Sequence, residues 1–191
     1  MTLLITNIYL FIMAVVLAVL EIQIEGAQGW AGNLPAWKPR PTNWLAKVYR
    51  KLMNGKELTG YHLMMFGFVF LVFHLPYVFG LALNLDNWLK TLSLFFIFLI
   101  LWDFLWFVLN PHYPLKKFKK EHIIWHKRWF WLMPIDYYFG LILSFLVLIP
   151  ILSSLVINWW IMNIFLFLIQ VIIIILFSLL VLKIDNWHLK R

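Results

Sequence analysis

Residues 88–109 read Trp-Leu-Lys-Thr-Leu-Ser-Leu-Phe-Phe-Ile-Phe-Leu-Ile-Leu-Trp-Asp-Phe-Leu-Trp-Phe-Val-Leu. Only Lys90, near one end, and Asp103, toward the other, carry charge. A helix rises ~1.5 Å per residue, so about 20 apolar residues cross a hydrocarbon core ~30 Å thick. The stretch is long enough to span a bilayer. It also holds an acid where facing lipid costs ~2.5–3.5 kcal/mol even on the mild insertion scale.

Four more stretches of the same kind lie at about 3–20, 61–83, 137–158 and 160–183. The ~10-residue alternating pattern of barrel strands is absent, which leaves helices as the spanning structure. Composition agrees. Hydrophobic residues make up 64% of the 191 residues and charged residues 13%, with a mean hydropathy of +0.87. A soluble domain of this size has too little interior to hide that much apolar surface. The expectation is an all-α integral membrane protein, one membrane domain over 1–191, multi-pass in the cell membrane, with a bundle of about five transmembrane helices. The first stretch lacks a basic leader and a small-residue cleavage site, so it reads as a retained helix rather than a signal peptide. The chain has no cysteine, which excludes disulfides, thiolate metal sites and cysteine nucleophiles.

The sixteen basic residues orient the bundle. Lys38, Arg40, Lys47, Arg50, Lys51 and Lys56 follow the first stretch. Lys116, Lys117, Lys119, Lys120, Lys127 and Arg128 follow the third, and Lys183, Lys190 and Arg191 form the tail. Lys90 alone falls in the remaining connections, the last of which turns near Asn158. Basic loops stay in the cytoplasm, so the N-terminus is expected outside and the C-terminus cytoplasmic. The net charge of +8 then serves orientation and contact with anionic headgroups, each basic residue contributing about 1 kcal/mol. It needs no nucleic acid.

Two cytoplasmic segments, 21–60 and 110–136, are too long to be turns. The first passes through Gly26, Gly29, Gly32, Pro35, Pro39 and Pro41, where regular structure is not expected. Thr42 or Asn43 can then cap a short helix ending near Gly55. It would gather Trp44, Leu45, Val48, Tyr49, Leu52 and Met53 on one face, with Lys47, Arg50 and Lys51 off it, as in a helix lying in the headgroup plane. The second segment interleaves Trp125, Trp129, Phe130 and Trp131 with Lys127 and Arg128, a mixture suited to the same interface.

The chain has only eight acids and six histidines, and under this topology most fall on the cytoplasmic side. If the first helix runs on to Gly26, Glu21 and Glu25 share a face at i and i+4. They then sit at a helix C-terminus, whose dipole disfavours negative charge. His62 opens the second span at the same depth, and Asp103 lies two turns inside the third. His122 and His126 would present two imidazoles together if their stretch is helical. Carboxylates and imidazoles from several segments at one depth suit Fe or Zn. The expected ligand shell is Glu21, Glu25, His62, Asp103, His122 and His126, with His112 as spare ligand or catalytic proton shuttle. His74 reads as a hydrogen-bonded packing residue, and Asp136 as a cap for the fourth span.

Two Fe ions could activate oxygen against a lipid chain, and one Zn could activate water against an ester or amide. The leading expectation is a metal-dependent membrane enzyme, oxidoreductase or hydrolase, acting on a lipid or other amphiphile at the cytoplasmic leaflet. The alternative is a non-enzymatic scaffold, assembly factor or transport subunit whose buried acids pack helices or carry protons. In that case the last span, with Asn163 and Gln170, would face a partner helix. Walker, Rossmann and Gly-x-Ser-x-Gly patterns are missing.

Overall fold

The computed structural model describes residues 3–184 except 28, 33 and 114. Six α-helices dominate: α1 (Leu3–Glu25), α2 (Trp44–Leu52), α3 (Gly60–Val78), α4 (Leu85–Leu109), α5 (Ile135–Leu146) and α6 (Ser154–Leu176), the last running into a π-helical stretch, Phe177–Leu182. A two-residue hairpin pairs β1 (Trp129–Phe130) with β2 (Met133–Pro134).

Helix starts follow local capping chemistry. The side-chain oxygens of Asn43, Thr59, Asn84 and Ser153 each accept a backbone N–H in the first turn of α2, α3, α4 and α6, satisfying donors that have no partner within the helix. Lipid cannot do this, so the caps matter most where helix ends approach the bilayer.

Among the described residues, four helices are long and apolar enough to cross a membrane: α1, α3, α4 and α6 with its π-helical extension. The expected span 137–158 is not one helix. α5 gives way to a short 3₁₀ turn at Ile149–Ile151, Leu152 and Ser153 are extended, and α6 begins at Ser154. Pro150 and the Ser153 cap place the break here, because proline disfavours helix in the residue before it and Ser caps the next start. Asn158, expected in a turn, lies inside α6.

α4 is the centre of the bundle. Of its apolar window 67% is buried, against 11% for α6, so α4 is coated by protein and α6 by its surroundings. α1 and α5 pack against α4, whose Phe98, Leu105 and Phe107 are fully buried. Polar pairs tie outer helices in. Asn7 Nδ2 donates to Asn163 Oδ1 at 2.5 Å, joining α1 to α6. Ser178 Oγ donates to Val108 O at 2.7 Å. Asn163, expected on a partner-facing surface, is thus used within the chain.

Candidate metal centre

α1 continues to Glu25 because nothing breaks it before Gly26, whose φ of +60° turns the chain away. Glu21 and Glu25 therefore occupy adjacent turns of one face, and both are buried. Asn110, at the end of α4, donates from Nδ2 to Gly26 O at 2.9 Å and fixes the helix end. The following turn holds Trp30 at φ +57° and Ala31 at φ +51°. Left-handed backbone costs a non-glycine residue ~1–2 kcal/mol, and persists where surroundings over-determine it. Here Ala31 N donates to Glu25 Oε1 at 2.5 Å. The Trp30 ring lies flat on His62, centroids 3.8 Å apart and planes within 10°, and its Nε1 donates to Glu57 O.

His62 sits in the first turn of α3, 2% exposed. Its Nδ1 shares a 2.8 Å hydrogen bond with Thr59 Oγ1, the residue that caps the helix. That bond aims Nε2 at the two glutamates, 3.8 Å from Glu21 Oε1 and 3.6 Å from Glu25 Oε1. These lengths exceed a hydrogen bond, and Nε2 is buried without a partner. One ligand atom from each of Glu21, Glu25 and His62 lies within 4.8 Å of the others. Ligands ~2.0–2.2 Å from a shared ion stand about 3–4.4 Å apart, so the group could hold a metal after a small inward movement. Thr59 is the orienting partner that metal-binding imidazoles usually have.

Beside it is a second, ion-paired cluster. Lys56 Nζ is 3.1 Å from Asp136 Oδ2 and 3.6 Å from Asp103 Oδ1, and 4.5 Å from the Trp30 ring centroid. His126 bridges the same acids, Nδ1 at 3.0 Å from Asp136 Oδ2 and Nε2 at 3.3 Å from Asp103 Oδ2. Tyr137 donates to Asp103 Oδ2 at 2.6 Å. Lys56 reaches this depth through the turn after α2. Asn54, left-handed at φ +52°, clamps Arg128 with both ends of its amide, donating to Arg128 O at 2.9 Å and accepting from Arg128 N at 2.8 Å. Its Nδ2 also approaches Asp136 Oδ1. The two long connecting segments are thereby locked together over the site.

Both clusters face one cavity of about 280 Å³. Its polar end carries Glu21, Lys56, His62, Asp103 and Asp136, and its deeper wall is apolar, with Phe96, Leu99, Phe139 and Leu143. Gly140 lets α5 close against α4, since a Cβ there would meet Ile100 at 3.0 Å.

Glu21, Glu25 and His62 come together as expected ligands would, while Asp103 and His126 belong to the adjoining network around Lys56. His122 is exposed, and its carbonyl accepts the Tyr113 hydroxyl. Residues 121–128 form turns rather than a helix, so the four-residue spacing does not align the two imidazoles. His112 does not line the cavity, and its N–H donates to Asn110 Oδ1. Asp136 is not a helix cap. Pro134 holds that position, and the Asp136 side chain turns to Lys56 and His126. His74 makes packing bonds, Nδ1 with Phe70 O and Nε2 accepting from Trp88 Nε1. Burial pushes the Tyr113 hydroxyl above the ordinary phenol range, which keeps it a donor.

Lys56, Trp30, Thr59 and Tyr137 are site residues that sequence reading missed. Lys56 looks like one more topology-setting cation. A partial signal was present: Asn54-Gly55 is a turn pair, and the cation just after it lies four residues before the start of α3.

The fold and site define a helical protein with four helices able to cross a membrane and a buried Glu/Glu/His group at the end of the bundle where the connecting segments meet. No family model, curated protein or solved structure matches the chain.

Proposed function

We propose that the chain is a metal-dependent membrane enzyme that acts on a lipid or other amphiphile, with Glu21, Glu25 and His62 as ligands. The observation that carries this reading is His62 Nε2, buried, without a hydrogen bond, and aimed between two buried carboxylates. Two buried glutamates, Glu21 and Glu25, and two partly buried aspartates, Asp103 and Asp136, share the site with one lysine, which pairs with the aspartates. In a low-dielectric setting the deficit calls for protons or a bound cation. Lys56 already pairs with both aspartates, and His126 and Tyr137 bond them. The glutamates have His62 alone as an ion-pair partner among the described residues.

A divalent ion such as Zn or Fe would supply Lewis acidity at the polar end of the cavity. The chain's own residues do the rest. Thr59 and Trp30 hold the imidazole plane. Lys56, kept between two aspartates, presents positive charge to an anionic or polarised group of a substrate. The apolar wall from Phe96 to Leu143 takes the hydrocarbon part. Under the positive-inside reading the cavity opens to the cytoplasmic leaflet, with α2 and the 121–131 segment in contact with anionic headgroups.

Elemental analysis of protein purified without chelator tests the proposal. Stoichiometric transition metal is expected, or binding of added Zn²⁺ or Fe²⁺ that is lost in His62→Ala and Glu21→Gln. Folded protein that neither carries nor binds metal would overturn it. The ion-paired network around Lys56 favours a second reading, a scaffold or transport subunit in which these acids pack helices. Variants at Asp103 would then lose assembly, with no chemical turnover to lose.

A further inference from the structure

On the opposite side of the α4–α5 contact lies a second cavity, of about 420 Å³. It shares Ile100 and Tyr137 with the first as a dividing wall. We propose that this cavity is a binding site for one acyl chain of a lipid from the leaflet on the polar-site side of the bundle.

The lining selects the occupant. One face of α4, from Ile97 to Phe104, meets a stripe of α6 from Ile164 to Ile175, with the start of α5 closing the end near the hairpin. The only hydroxyls are those of Tyr137 and Tyr138, and both already donate, to Asp103 Oδ2 and to Phe130 O. Water in a buried space needs two to four polar partners, and this lining offers only the acceptor side of two phenols. A void would forfeit dispersion contacts along three helices. Hydrocarbon satisfies both conditions.

Depth selects its source. The α6 stripe covers twelve residues, or ~16 Å end to end at ~1.5 Å rise per residue, about half of a ~30 Å core. The cavity is therefore one leaflet deep. Met133 and Tyr138, beside the hairpin, mark its interfacial end. Leu168, 56% exposed, forms a lip toward the bilayer through which a chain can enter sideways. The volume lies within the ~300–1,000 Å³ of small-molecule sites.

The test is native mass spectrometry of the full chain. Protein is reconstituted into palmitoyl-oleoyl phosphatidylcholine vesicles and then extracted into mild detergent. The wild type is expected to keep one phospholipid through detergent exchange. Val171→Trp, which fills the cavity, and Leu168→Trp, which blocks its lip, should lose it. Ile172→Trp is one residue further on, 56% exposed and outside the lining, and should keep it. Leu168→Trp requires no repacking, so it decides the matter if Val171→Trp does not fold. No retained lipid in the wild type, or equal retention in all variants, overturns the proposal. The readout involves no metal, so it can fail or succeed independently of the metal-centre reading.

Discussion

Replacing Lys56 with methionine removes the one lysine between Asp103 and Asp136 while keeping most of the side-chain volume. The Lys56 side chain is 4% exposed, and its Nζ stands 3.1 Å and 3.6 Å from the two carboxylates. Removing one partner of a buried ion pair costs roughly 3–5 kcal/mol, because the other charge is left uncompensated. Here the aspartate side chains are 27% and 15% exposed, and His126 and Tyr137 still bond them. Both effects move the expectation to the lower end, about 3 kcal/mol. The size alone does not prove the mechanism, so the informative experiment is a double-mutant cycle. Asp136→Asn in the Lys56→Met background removes one of the stranded charges. The double variant should therefore be more stable than the sum of the singles, by about 1–3 kcal/mol as for contacting charged pairs. Reversible unfolding in mixed micelles, titrated with denaturing detergent, measures all four corners. A coupling within about 0.5 kcal/mol of zero, the additivity expected of independent sites, would refute the claim that Lys56 is held by these acids.

Thr59→Val keeps shape but removes the hydroxyl that orients His62, and should weaken Zn²⁺ affinity by about 10–100-fold, the usual effect of losing an orienting partner; a competitive chelator titration reads this. Zn²⁺ affinity in the wild type should also fall as pH is lowered, since protons compete for the imidazole and both carboxylates, and a flat profile from neutral to mildly acidic pH would count against these ligands. Gly29→Ala should destabilise the site turn, because the new Cβ would lie 2.5 Å from the Trp125 ring and the relief needed is typical of overpacking, ~1–3 kcal/mol. Asn7→Leu or Asn163→Leu alone should cost about 0.6–1.7 kcal/mol, the range for interhelical hydrogen bonds in membranes. The double leucine variant should recover much of that in the same unfolding assay, as apolar replacement of both partners can be nearly neutral.

What could be read from the chain alone follows from short-range physics. Apolar runs long enough to cross a bilayer, caps such as Asn43, and the shared face of Glu21 and Glu25 depend on spacing within one element. So does the expectation that ionisable residues cluster at one end. The break at Ser153 was also local, written in Pro150, although a hydropathy window passes over it.

Partnership was different, because it depends on how elements pack. His122 and His126 have the spacing of a helical pair but sit on turns, and only His126 enters the bundle. Asp103 could have faced Glu21's cluster or another; the arrival of Lys56, carried by the Asn54–Arg128 clamp between two distant segments, commits it to the network around Lys56. The same commitment leaves His62 alone with two glutamates. Helix formation is therefore largely local, since each helix satisfies its own backbone, although the break at Ser153 divides one expected span. Which acid pairs with which cation is decided only in the tertiary structure, because a buried charge is paired by whatever packing brings within about 4 Å.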